Sequence, residues 1–192
     1  GEIYKYSIRT SNDLVLEKSD PFGIKMEQAA QAGSIIESTW YTWKDEEWMD
    51  NRLSINNLES PISVYEMHLG SWMRNKDDDS KFLTYRQLAD KLIPYIKTMN
   101  FTHVEFMPIM EFPYDPSWGY QVTGFFAATS RFGAPQDLMY LIEQLHLNDI
   151  GVFLDWVPSH FPADANGLFQ FDGSSVYEYQ DPKKGYHPDW KS

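Results

Sequence analysis

The apolar run IGVF, residues 150–153, leads into Asp155 and Trp156 and, five residues beyond Asp155, into His160. Carboxylate and imidazole groups are costly to bury without partners, so their place directly behind a buried strand asks for a use. Two uses fit the spacing. Both side chains could offer hydrogen bonds to a polar ligand at the mouth of a sheet, or Asp155 could cap a turn before Pro158 while His160 sits on the surface. His68, Asp155 and His160 could also gather as metal ligands. No tight pair such as H-x₃-H accompanies them, so no metal site and no cofactor is expected.

Glycoside chemistry needs two carboxyl groups held about 5–9.5 Å apart. Glu111 and Asp115 lie in one Pro-bounded segment, EFPYDP, which is a poor way to hold such a distance. They read as part of a solvated loop. Glu105, inside a strand-like run, reads as a paired structural carboxylate, and the acidic DDD at 77–79 as solvated. Trp118 and Tyr120 suit either stacking on a sugar ring or packing of their loop onto a rim. Gly119 between them permits tight backbone geometry. There is no Gly-rich phosphate loop and no G-x-S-x-G.

These residues need elements to position them. Residues 62–69, 101–109 and 150–157 read as buried strands. Between them, residues 84–100 form an amphipathic helix with a Thr84–Gln87 capping box and an apolar stripe of Leu88, Leu92, Tyr95, Ile96 and Met99. Pro94 should kink it or mark an irregularity. Residues 135–149 form a second helix, with Pro135 at its start and Asp137 in its first turn. Strands alternating with helices imply a parallel sheet with right-handed crossovers, an α/β fold whose functional loops leave the carboxyl ends of the strands. The segment 110–134 is a long loop of the kind that carries function, and 161–192 is long and irregular. Residues 1–60 read as β-rich, the tail of a β-domain followed by a linker. A (β/α)₈ barrel takes about 250 residues, so three strands make either a small open sheet or less than half of a barrel.

Composition narrows the partners. The formal charge is −12, with no basic stripe, which argues against nucleic acid; a neutral polymer such as a glucan is not penalised. The 7 Trp, 12 Tyr and 12 Phe suit sugar rings as well as an ordinary core. Cysteine is absent, which excludes disulfides and thiolate chemistry and fits a cytoplasmic setting. No apolar run approaches the roughly 20 residues of a membrane span.

YEMHLGSW (65–72), PIMEFPYDPSWGYQVTGFFAATSRFG (108–133), DWVPSHFP (155–162) and DPKKGYHPDW (181–190) together resemble the glycogen (1,4-α-glucan) branching enzymes of the α-amylase superfamily. SDPFG (19–23) resembles the end of the carbohydrate-binding β-sandwich that precedes the barrel there. The resemblance implies a truncated (β/α)₈ barrel. On this reading residues 1–30 are a β-sandwich remnant, 31–60 a linker, and 61–192 the first three βα units. It also implies that Asp155 supports the sugar-binding cleft, that His160 hydrogen-bonds the sugar in subsite −1, and that Tyr120 stacks on it, with Gln121 and Trp118 beside it. The family's three catalytic carboxylates follow strands four, five and seven. None is expected here, so no catalytic residue is assigned and the 192-residue chain is expected to be inactive. The implied activity is cleavage of α-1,4-glucan and re-attachment through α-1,6 linkages. Two alternatives remain: a related trehalose-releasing hydrolase, and a non-catalytic glucan-binding module. An open sheet edge after the third strand predicts that the isolated chain is marginally stable or pairs with another copy.

Overall fold

A computed structural model describes residues 1–28, 32–75 and 82–189. The DDD segment and Trp190 lie outside the described residues. The chain forms two compact units, one of residues 1–38, 108–130 and 156–192, the other of residues 39–107 and 131–155.

The second unit holds the parallel sheet. β5 (Val64–Met67), β6 (His103–Phe106) and β9 (Gly151–Leu154) lie in the order β5-β6-β9. Val64, His103 and Gly151 share one rung, and Met67, Phe106 and Leu154 another. Side chains alternate between the two faces of a strand. One face therefore carries Val104 and Phe106, both fully buried. The other carries Glu66, His103, Glu105 and Phe153. Glu66 and Glu105 stand directly opposite each other. Glu105 has no ion-pair partner among the described residues, contrary to its reading as a paired carboxylate. Its in-register neighbours are Glu66 and Phe153, so the sheet offers it no cation.

A single helical turn, α2 (Leu69–Trp72), follows β5. Helix α3 (Tyr85–Met99) packs on α4 (Pro135–His146) in the same unit. The capping box forms as expected: Gln87 N donates to Thr84 Oγ1 (3.2 Å) and Thr84 N to Gln87 Oε1 (3.0 Å). Leu88, Leu92 and Ile96 are buried, and the helix runs unbroken through Pro94. Tyr95 and Met99 are exposed instead; Tyr95 lays its ring against Tyr65 and Trp72. In α4 the Asp137 carboxylate reaches back to Ala134 N (3.1 Å). The β-rich reading of 1–60 fails at α1 (Glu46–Ile55). Its Trp48 stacks on His146, whose Nδ1 lies 2.7 Å from Asp45 Oδ2.

The first unit is built from short antiparallel pairs. β1 (Ile3–Tyr4) pairs with β4 (Ser34–Ile35), β2 (Tyr6–Arg9) with β3 (Val15–Lys18), and β7 (Met110–Glu111) with β8 (Gly124–Ala128). The 110–134 segment is thus not a plain loop but a hairpin with an excursion at its tip. Met110, Val122, Phe125, Val157 and Leu168 form an apolar cluster joined by Phe161 and Phe171. The segment after residue 161 is irregular as expected, apart from the one-turn helix α5 (Pro182–Gly185), capped where Lys183 N donates to Asp181 Oδ1 (3.0 Å). No helix of the described residues is long and apolar enough to cross a membrane.

Candidate functional site

In the first unit the excursion between β7 and β8 carries three of the five residues singled out from the sequence. A single 3₁₀ turn, Asp115–Ser117, ends at Trp118 in the left-handed region (φ 56°). Gly119 follows at φ 91°, and a Cβ there would lie 2.4 Å from Pro108 O. Only glycine fits that position without strain. The turn leaves the rings of Trp118 and Tyr120 exposed, 52% and 36% accessible, with Gln121 half-buried. Rings held open by a rigid turn lose little freedom on stacking against a ligand.

His160 comes to this excursion from the unit's third chain segment, residues 156–192. Its Nε2 lies 2.6 Å from the Tyr120 carbonyl oxygen. A carbonyl only accepts, so Nε2 carries the proton and donates. Ser159 Oγ stands 3.2 Å from Nδ1. Tyr120 and His160 are therefore joined directly. Asp155 belongs to the second unit, one residue past β9, where its N–H extends the ladder to Phe106 O (3.0 Å). Alternation along the strand puts it on the face of Glu66, Glu105 and Phe153, at the carboxyl end of the sheet.

What holds the excursion in place is Glu111, which is 2% exposed. Its carboxylate accepts from Ser130 N (2.7 Å), Phe112 N (3.2 Å) and Thr129 Oγ1 (3.3 Å). The solvated reading of Glu111 is therefore wrong. With donors from both ends of the hairpin, this buried carboxylate clamps them together. Asp115, four residues on, is exposed as expected. The SDPFG turn is ordered by Asp20, which accepts from Phe22 N (2.9 Å) and Tyr4 Oη (2.5 Å). Burial works against the Asp20 charge, but these hydrogen bonds hold its carboxyl below the ordinary range. Bonding to that carboxylate, with burial, pushes the Tyr4 phenol up to about 12. Phe22 stacks on Phe126 at 5.5 Å, and Trp156 Nε1 donates to Phe125 O (3.3 Å). Together they line a shallow apolar groove of about 180 Å³.

Sequence reasoning also missed a polar cluster in the second unit. Glu143, buried on α4, accepts from Lys44 N (2.7 Å) and Tyr41 Oη (3.0 Å). Burial, then the bond to Glu143, pushes the Tyr41 phenol up to about 12. No local pattern signalled it: Glu143 stands about 200° around the helix from Leu141 and Leu145, and it meets Tyr41 and Lys44 on that other side. His68, weighed from sequence as a metal ligand and set aside, has its Nδ1 2.9 Å from Ser71 Oγ. Among the described residues no group of three His, Asp or Glu could hold a metal ion.

The family described as alpha amylase, catalytic domain, matches residues 75–190, more than half of the chain. The chain belongs to this alpha-amylase family. Over 99% of its length it is 50% identical to a 1,4-alpha-glucan branching enzyme GlgB of Synechococcus sp. (strain JA-3-3Ab). Over its whole length it is 54% identical to one of Aquifex aeolicus (strain VF5). This alpha-amylase chain spans 27% of the first relative and 30% of the second. Its fold is shared with the catalytic module of the glycogen-degrading pneumococcal virulence factor SpuA. That match has a TM-score of 0.63 at 17% identity and covers 83% of this chain and 28% of that one. The architecture is thus the α/β fold of the amylases.

Proposed function

We propose that the chain is part of a 1,4-α-glucan branching enzyme, which cuts α-1,4-glucan and re-attaches the released segment through an α-1,6 linkage. The observation that carries this reading is the identity of about half of all residues with branching enzymes along essentially the whole chain. The reaction is a retaining double displacement. A carboxylate attacks C1 while an acid protonates the departing 4-oxygen. The 6-hydroxyl of an acceptor glucan then displaces the carboxylate, giving its proton to the conjugate base of that acid.

In this reading residues 61–192 supply the first three βα units of a (β/α)₈ barrel, 31–60 a linker, and 1–30 the remnant of a carbohydrate-binding β-sandwich. Tyr120 stacks on the sugar in subsite −1, with Trp118 and Gln121 beside it. His160 hydrogen-bonds that sugar and Asp155 supports the cleft. The exposed ring of Tyr120, on a residue whose backbone is bonded to the His160 imidazole, supports these roles. The chain spans under a third of its branching-enzyme relatives, so the activity proposed is that of the whole protein. A cytoplasmic setting for that protein fits the absence of cysteine from this chain. The outer edge of β9, with Phe153 and Leu154 exposed, favours pairing of the isolated chain with a second copy.

The test is amylose treated with the full-length protein. Branching lowers iodine staining without releasing reducing ends. A rise in reducing ends that keeps pace with the loss of staining contradicts the reading and favours a hydrolase.

A further inference from the structure

Lys18, the last residue of β3, is 3% exposed, an unusual place for an ammonium group. Its Nζ donates to Gly167 O (3.1 Å) and Phe169 O (2.9 Å), 149 and 151 positions away in sequence. Ser19 N adds a bond to Asn166 O (3.0 Å). The two carbonyls that Lys18 grips flank Leu168. That side chain packs in the cluster with Val122, Val157 and Phe161. Val122 lies two residues from Tyr120, and Phe161 follows His160. Glu178 faces the same loop: its Oε1 accepts from Gln170 N (3.0 Å), and its Oε2 is buried without a hydrogen-bond partner among the described residues. Burial pushes the Lys18 ammonium down, while the charge of Glu178 acts in the opposite sense.

We propose that Lys18 is a positioning residue. By pinning both carbonyls around Leu168 it holds that side chain in the cluster, and through Val122 and Phe161 it keeps Tyr120 and His160 in contact. The β2–β3 hairpin thus sets the shape of the candidate sugar site. The inference rests on the function proposed above only in taking Tyr120 and His160 as that site.

The experiment is NMR on the full-length protein with its Lys and His side chains labelled. A donor held between two carbonyls predicts a resolved Lys18 ammonium signal in the wild type, protected from exchange. Lys18→Met keeps length and apolar bulk but leaves two carbonyls without their charged donor. It should speed exchange of the His160 Nε2 proton about tenfold, with the β2–β3 amides unchanged. Lys18→Arg, which keeps a buried cationic donor, should remain within about threefold of the wild type. An unchanged His160 signal in Lys18→Met overturns the inference. If that variant does not fold, a wild-type ammonium exchanging at the solvent rate overturns it instead. Maltoheptaose added to the wild type is a separate arm. A lack of binding there contradicts the glucan reading and leaves the Lys18 result to stand on the His160 signal.

Discussion

Removing the Glu111 carboxylate should loosen the hairpin that carries Trp118, Tyr120 and Gln121. Glu111 is 2% exposed and accepts two backbone N–H groups and one hydroxyl. A hydrogen bond to a charged group contributes about 1.5–3 kcal/mol, and an unsatisfied buried donor costs about 1–3 kcal/mol. The Ser130 bond at 2.7 Å is the shortest of the three and should dominate. Glu111→Ala removes every acceptor and should cost about 3–5 kcal/mol; Glu111→Gln keeps one acceptor oxygen and should cost about 1–2 kcal/mol. With two compact units in the chain, a single unfolding curve can blur the effect. Native-state hydrogen exchange at the amides of Phe112 and Ser130 reads it locally. Those amides should lose protection in the order wild type, Gln, Ala, while the amides of β5 and β6 do not change. Equal protection in all three proteins would refute the clamp and restore the solvated-loop reading.

Two further outcomes follow from the sheet of the second unit. A Cβ on Gly151 would lie 2.2 Å from His103 Cδ2, and that ring is stacked on Phe153 at 5.1 Å and cannot step aside freely. Gly151→Ala should therefore cost about 1–3 kcal/mol in urea unfolding, and much less in a His103→Ala background. Burial pushes the His103 imidazole below its ordinary range. The unfolded chain then takes up a proton first as pH falls, so the contribution of a neutral His103 is whole above about pH 6.5 and declines below it. Urea unfolding of wild type and His103→Asn at pH 7.5 and 5.5 should show the steeper loss in the wild type; parallel losses would refute the assignment.

Much of the second unit could be read from sequence because its signals are local. A capping box, a helical stripe and short apolar runs each lie within about 15 residues, and α3, α4, β5, β6 and β9 all form where expected. The first unit was harder to read. Strands of two residues such as β7 fall below any pattern, and the burial of Glu111 depends on Thr129 and Ser130, which the hairpin alone brings near. The Lys18 contact joins segments far apart in the chain, and no periodicity reports such a pair. The helix α1 went unseen because its apolar stripe is weak, with Trp48 alone buried. The aromatic pair around Gly119 was legible for a physical reason: the close approach to Pro108 excludes any side chain. The direct Tyr120–His160 bond was not, since its acceptor is a backbone carbonyl.

In the proposed enzyme this chain holds the sugar while groups elsewhere in the protein break the bond. That division of labour is decided by kcat/KM for α-1,6 branch formation from amylose, measured on the full-length protein carrying Tyr120→Ala. The ring is exposed, so the variant should fold normally. Loss of a stacking surface predicts a fall of about tenfold or more, with residual branching still measurable. An unchanged kcat/KM in the folded variant would show that Tyr120 does not hold the sugar.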